Sequence, residues 1–193
     1  GLDMAAKSTL VNMVVCLSVV CLVCSAVLAG TYAMTVEPIG RAQQAKTDAS
    51  IAKVLPEFSS SPVESSITVS GTEYRYYRAE GSGYAVISNV VGFGGPLSVM
   101  VGIEEDGTIH NTAVLSHSET PGLGAKCQTD EGFLGQFRGF DPQKKILKVV
   151  KDGGDVDAIT ASTITSRAYA LAISNAVEVF KAIKMNGGEC HEQ

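Results

Sequence analysis

The sequence predicts an α+β protein: one N-terminal transmembrane helix, then a mostly antiparallel-sheet domain closed by a C-terminal helix. Three observations lead there. No charged side chain occurs between Lys7 and Glu37. Short runs rich in Val, Ile and Tyr, punctuated by glycine turns, fill the middle of the chain. The stretch before Gly187-Gly188 repeats apolar residues at helical spacing.

The first element follows from composition. Of 193 residues, 45% are hydrophobic and 18% charged, and the apolar excess lies before Glu37. As a helix, Ser8 to Val36 would reach about 43 Å at roughly 1.5 Å per residue, more than the roughly 30 Å of a bilayer's hydrocarbon core. Thr9 to Met34 therefore reads as a transmembrane helix. The rival reading is a cleaved signal peptide, with Val27-Leu28-Ala29 before Gly30, but the apolar core exceeds the roughly 7 to 15 residues usual there. Val15, Val20 and Val23 precede the three cysteines of the run, which disfavours a lipoprotein signal. Lys7 on one side and Arg41, Lys46 and Lys53 on the other weakly oppose an N-terminus inside, although a long domain translocates regardless of such counts.

The remaining elements divide the chain into a tail (1–8), the membrane helix (9–34), a juxtamembrane helix and linker (35–66), the sheet domain (67–187) and a second tail (188–193). Ile51, Val54, Leu55 and Phe58 stand at helical spacing, and Ser59 to Ser66 reads as linker. Strands follow at Ile67–Ser70, Glu73–Glu80, Gly83–Val91, Leu97–Asp106 and Gly107–His117, with glycine or Asp-Gly turns between them. A helix is expected around Asp130 to Arg138, a strand at Ile146–Lys151 and a turn at Asp152-Gly153-Gly154. The closing helix runs from about Thr163 to Met185, with Ile164, Leu171, Val177, Phe180 and Ile183 near one face.

Charge and cysteine exclude several classes. The net charge is −5 and its members are scattered singly, so nucleic acid finds no electrostatic footprint. Only Cys127 and Cys190 lie outside the apolar run, which leaves no disulfide framework or zinc spacing. Cys190 and His191 are adjacent but lack further ligands nearby, and read as a solvated tail. There is no G-x-S-x-G elbow, no G-x-G-x-x-G opening a helix and no phosphate-binding G-x-x-x-x-G-K-[ST].

The chemistry concentrates in three segments. From Asp157 to Ser166, five hydroxyl residues crowd the start of the last helix. A helix start offers unpaired N–H groups and a dipole that favour an anion, above all a phosphate. A single N-cap explains one or two of those hydroxyls, not five. The loop His117 to Lys126 contains a Pro121-Gly122 turn; it reads either as backbone laid against a flat ring or as a rigid type II turn. Gly92 to Pro96 admits a phosphate or ring near its backbone, a weak signal because such turns are common.

These residues resemble the FMN-binding domain of the G subunit of the Rnf electron-transport complex and of the C subunit of the sodium-pumping NADH:quinone reductase. The family's attachment motif, Asp, two variable residues, Ser or Thr, Gly, Ala, Thr, is met by Asp157, Ala158, Ile159, Thr160, Ala161, Ser162 and Thr163. The loop E-T-P-G-L-G is intact as Glu119 to Gly124, and GFGGPL matches at Gly92 to Leu97. Lys53 to Phe58 and the membrane helix fit the Rnf protein too, and the short length favours it over its relative.

The resemblance implies covalent FMN, its phosphate esterified to Thr163 by a separate Mg-dependent flavin transferase that recognises Asp157 and Thr160. It implies cofactor contacts from Glu119, Thr120, Gly122, Leu123 and Gly124 at the isoalloxazine, and from Thr160, Ala161 and Ser162 near the phosphate. It implies no catalytic residue and no metal ligand in this chain. The expected role is that of an electron-passing flavoprotein subunit of an ion-translocating ferredoxin:NAD oxidoreductase, without activity alone, whose partners are the other membrane and cofactor-bearing Rnf subunits. The expected location is the bacterial cytoplasmic (inner) membrane, single-pass, with the flavin domain on the extracytoplasmic, periplasmic side. Ala161 and Ser162 depart from the usual Gly-Ala and add a methyl group and a hydroxyl beside the phosphate site. Two rival roles stand beside this one: a membrane-anchored flavin-domain sensor or regulator, and a non-redox assembly subunit without flavin.

Overall fold

The computed structural model describes residues 10–56 and 62–185. Phe58, both expected tails and the Cys190-His191 pair lie outside the described residues. The chain divides into two compact units between Ala45 and Lys46.

Helix α1 is Leu10–Val54. It holds a window of mean hydropathy 2.6 with none of it buried, long and apolar enough to cross a membrane. Two of its hydroxyls are satisfied within the helix, as an apolar surrounding would demand: Thr31 Oγ1 donates to the Val27 carbonyl at 3.1 Å, and Thr35 Oγ1 to that of Thr31 at 2.8 Å. The expected separate juxtamembrane helix is not a separate element. Pro38 lies inside α1, where it forfeits one backbone hydrogen bond without ending the helix. Glu37 and Arg41 pair across it at 2.6 Å, and the Ala-, Gln- and Lys-rich residues beyond are good helix formers.

The second unit is built on five antiparallel strands in sequential order: β1 (Val63–Val69), β2 (Thr72–Ala79), β3 (Gly83–Val91), β4 (Pro96–Ile103) and β5 (Ile109–His117). Strand β1 begins four residues before the expected Ile67. Val63-Glu64-Ser65-Ser66 has little strand propensity, but it pairs in register with Arg78, Tyr77, Tyr76 and Arg75, and the ladder supplies what side chains do not. Two short helices, α2 (Lys126–Thr129) and α3 (Glu131–Gly135), replace the single helix expected at 130–138. The break falls at Asp130, whose carboxylate caps α3 by accepting from the N–H groups of Gly132 and Phe133. The expected strand at 146–151 does not form: 146–148 are irregular, Val149 makes one isolated bridge to Val156, and Val150–Asp152 is a 3-10 turn. Ile146 and Val150 are exposed and no neighbouring strand pairs with them.

Helix α4 (Thr163–Met185) packs on β3 and β4. Alternation along β4 sends Leu97, Val99, Val101 and Ile103 toward α4, while Met100 faces the opposite side with Ala85, Ile87 and Ala113. That second face is covered by Ile51, Val54 and Leu55, so the middle of the sheet is buried on both sides. Of the residues expected on the buried face of α4, Val177, Phe180 and Ile183 are there, but Ile164 and Leu171 are half exposed. At about 100° per residue those two fall on a different face, and the small residues Ala168, Ala172 and Ala176 form the contact instead. Phe133, Phe137 and Tyr169 pack with ring centroids 5.2–5.3 Å apart, and the Tyr169 hydroxyl donates to Thr112 Oγ1 at 2.8 Å, joining α4 to β5. Burial raises the Tyr169 pKa, so it stays a neutral donor.

The end of α1 is fastened to the sheet by polar contacts as well. Asn111 Nδ2 donates to the Lys53 carbonyl at 3.0 Å, serving an orphan acceptor of the helix end, and Lys46 Nζ donates to the Leu115 carbonyl. Gly102 permits the approach, because a Cβ there would overlap the Val54 carbonyl. Gly102→Ala is therefore expected to lower the unfolding free energy of the detergent-solubilised chain by about 1–3 kcal/mol. Gly135→Ala, with open space at its Cβ, is expected to change it by less than about 0.5 kcal/mol in the same denaturation series.

Candidate functional site

Three chain segments meet beside the start of α4: the loop after β3, the loop after β5, and the approach to Thr163. They meet on one carboxylate. Glu119 is only 5% exposed. Its Oε1 accepts from the Phe93 N–H at 2.8 Å, and its Oε2 accepts from the Gly94 N–H at 3.3 Å and from Thr165 Oγ1 at 2.9 Å. One charged group thus ties all three segments, and each bond is charge-assisted. The packing is close enough that a Cβ at Gly92 or Gly124 would overlap Glu119. The resemblance implies an isoalloxazine contact from Glu119; in the structure both carboxylate oxygens are engaged by the protein's own loops.

The rest of the β5 loop follows locally. Pro121-Gly122 forms the expected turn, closed by the Leu123 N–H on the Thr120 carbonyl at 3.2 Å, with Gly122 at φ +78°. His117 Nδ1 accepts from the Glu119 N–H at 3.3 Å, which leaves Nε2 to donate to Gln128 Oε1 at 3.1 Å. Cys127, buried beneath this loop, is pushed up to about 11 by burial and by the neighbouring Glu119 charge, and is a neutral thiol.

The hydroxyls of the Asp157–Ser166 segment separate by environment. Ser166 Oγ is buried, accepts from the Ile159 N–H and donates to the Ser162 carbonyl. Thr165 is buried on Glu119, and Ser162 is 7% exposed. Thr160 is exposed. Thr163, Ser162 and Thr165 line one cavity, but of the five only Thr163 is half-buried, and its hydroxyl has no hydrogen-bond partner among the described residues. The N–H groups of Thr163, Ile164 and Thr165, in the first turn of α4, have no partner among the described residues either. A phosphate ester on Thr163 would therefore sit where helix geometry gathers free donors. Ala161, one of the two departures from the family motif, takes φ +62°, the left-handed conformation that glycine adopts without cost.

The cavity measures about 410 Å³, within the roughly 300–1,000 Å³ of small-molecule clefts. Thr120, Leu123, Gly124, Ala161, Ser162 and Thr163 line it, as does Glu119. Gly122 does not line it and serves the turn. Asp157 and Thr160 lie elsewhere, in a polar hollow of about 240 Å³ shared with Asp130, Gly132 and Gln136. There the Gln136 amide holds the backbone of Asp157 at both ends, accepting from its N–H at 2.7 Å and donating to its carbonyl at 3.2 Å. Phe93, Ile164 and Thr165 line the main cavity without having been singled out as site residues. For Phe93 the available signal was an aromatic set among glycines; for Thr165 it was a hydroxyl in excess of capping needs.

The FMN-binding domain family matches residues 92–178, a span that contains the whole of this cavity. The G subunit of the ion-translocating oxidoreductase complex of Methanosarcina acetivorans is 34% identical over 93% of this chain and 98% of its own. The G subunit of the proton-translocating ferredoxin:NAD(+) oxidoreductase complex of Clostridium ljungdahlii is 30% identical over 84% of this chain and 86% of its own. Among solved structures, the C subunit of the Na(+)-translocating NADH-quinone reductase of Parabacteroides distasonis is similar at a TM-score of 0.46 and 19% identity, covering 77% of this chain and 84% of that one.

Two substitutions probe the site's construction. Glu119→Ala strands three donors and is expected to cost about 2–4 kcal/mol in chemical denaturation. Ala161→Gly relieves a left-handed alanine at roughly 1–2 kcal/mol and adds about 0.5–1 kcal/mol of unfolded-state entropy, for a net gain on the order of 0.5–1 kcal/mol by the same measurement.

Proposed function

This chain belongs to the family of G subunits of ion-translocating oxidoreductase complexes, and on that footing we propose that it is a membrane-anchored flavoprotein subunit with FMN bound covalently through its phosphate to Thr163. The observation that carries the assignment to Thr163 is the sorting of the hydroxyls: its neighbours Ser162, Thr165 and Ser166 are buried, and Thr160 lies in another hollow. The residues fit the group. The free amides of Thr163, Ile164 and Thr165 would hold the phosphate, while Thr120, Leu123 and Gly124 would lie along the ring system.

When bound, FMN supplies the redox chemistry, and the protein's part is to hold, orient and insulate it. No acid–base pair of this chain is needed. Thr163 Oγ1 would form the ester bond to the FMN phosphorus and give up its proton, while a flavin-dinucleotide donor would release its other mononucleotide from that phosphorus. A flavin transferase would make that bond, reading Asp157 and Thr160. Their position in the smaller hollow supports a division of labour, since an enzyme can grip that side while the main cavity receives the flavin. Gln136 holds Asp157 in a fixed backbone conformation there. Electrons would pass between this flavin and cofactors in other subunits of a ferredoxin:NAD oxidoreductase that moves Na+ or H+. Residues 11–36 of α1 would anchor the domain, on the extracytoplasmic face, as a single pass.

Intact-mass measurement of the full chain co-expressed with the transferase tests this reading. The expected result is an increment equal to FMN minus water, lost in Thr163→Val and retained in Thr165→Val. An unmodified wild-type mass would sink the flavoprotein assignment and favour the assembly role.

A further inference from the structure

The cavity has an apolar side that the attachment chemistry does not use. Phe93, Leu123 and Ile164 come from three separate segments, line the same cavity and are 68%, 45% and 51% exposed. A single exposed apolar side chain needs no explanation, but three converging on one concave site form a wall for a ligand. Phe93 is the most exposed of them, and its position is fixed from behind. Its N–H and that of Gly94 are bound by the buried Glu119, and the Gly92 N–H closes the turn on the Gly95 carbonyl at 2.8 Å. A flexible glycine loop would let an aromatic side chain fold down onto the sheet. This one is braced so that the ring stays out.

We propose that Phe93 is the aromatic wall against which the isoalloxazine lies, and that Glu119 is a positioning residue that holds Phe93 there rather than a contact to the ring. The inference rests on the flavin reading above and adds to it the residue that meets the flat face of the cofactor. Aromatic rings favour offset or edge contact with a second π-system, and a Phe side chain offers that with no competing hydrogen bond. Leu123 and Ile164 complete the apolar surround, and the amides at the start of α4 take the opposite, charged end of the cofactor. The arrangement also accounts for Gly92 and Gly124, whose missing side chains make room for the Glu119 carboxylate.

The test uses the full chain co-expressed with the transferase, with the Thr163 ester verified by mass in every variant before any optical measurement. Phe93→Trp would place an electron-rich indole against the flavin, and its emission per bound flavin is expected to fall severalfold below wild type. Val150→Trp, an exposed position outside the cavity, is the control and is expected to leave emission unchanged. Phe93→Ala is expected to lower the steady-state anisotropy of the flavin by freeing the ring. Adding Glu119→Gln to Phe93→Trp is expected to recover much of the lost emission, because the brace is weakened while the indole remains. Flavinylated Phe93→Trp with wild-type emission, together with unchanged anisotropy in Phe93→Ala, would overturn the wall while leaving the flavin assignment intact. Quenching that persists undiminished with Glu119→Gln would overturn the positioning role. A wild-type chain without the mass increment would remove both the flavin reading and this inference.

Discussion

The candidate site depends on a buried carboxylate that has nowhere to go except its three donors. Glu119 is almost wholly withdrawn from solvent, and an ionised group there is tolerable only if its oxygens are satisfied. The Phe93 and Gly94 amides and the Thr165 hydroxyl do so, and by doing so they bring together the end of β3, the end of β5 and the start of α4. Each partner is distant in sequence, so the bond network closes only when the sheet and helix are already in place. Breaking the network would leave a buried carboxylate without its donors, which makes departure from this arrangement of the loops costly.

The sheet supplies the frame on which that network rests. β3 and β4 are buried on both faces, by α4 on one side and by Ile51, Val54 and Leu55 on the other. Two-sided burial makes the central strands stiff, and the loops that follow β3 and β5 are therefore held at fixed ends. Tyr169 adds a buried bond from α4 to Thr112 in the middle of β5. On the proposed reading the protein's task is presentation, because a bound flavin would bring its own chemistry and ask the protein for position, dryness and access.

Much of this was legible in the residues. The alternation of Leu97, Val99 and Val101 against Met100 announces a strand between two layers, and the glycines and Asp-Gly pairs between runs mark the turns. The hydroxyl cluster before α4 marked an anion-favouring helix start through its excess, and the family resemblance alone pointed within it to Thr163. Less legible was β1, whose Glu64-Ser65-Ser66 segment takes its strand form from pairing with β2. The stretch 146–151 misled in the other direction: β-branched residues without a partner strand make a 3-10 turn here. Glu119 could be found by motif, yet its orientation could not, since a carboxylate in a loop has equal reason to face a ligand or its own backbone.

The sequence by itself determined the apolar helix, the five runs that form the sheet, the closing helix and the hydroxyl-rich, anion-favouring start of that helix, because these follow from local periodicity, propensity and turn chemistry; the same local signals also announced a strand at 146–151 that does not form. The tertiary structure alone decided that Thr163 is half-buried while Ser162 and Thr165, which line the same cavity, are buried, that Asp157 and Thr160 face a different hollow from Thr163, and that Phe93 and Thr165 join the site. Those outcomes depend on which groups are buried against partners tens of residues away. Burial of that kind is a property of the packed chain, and no local pattern encodes it.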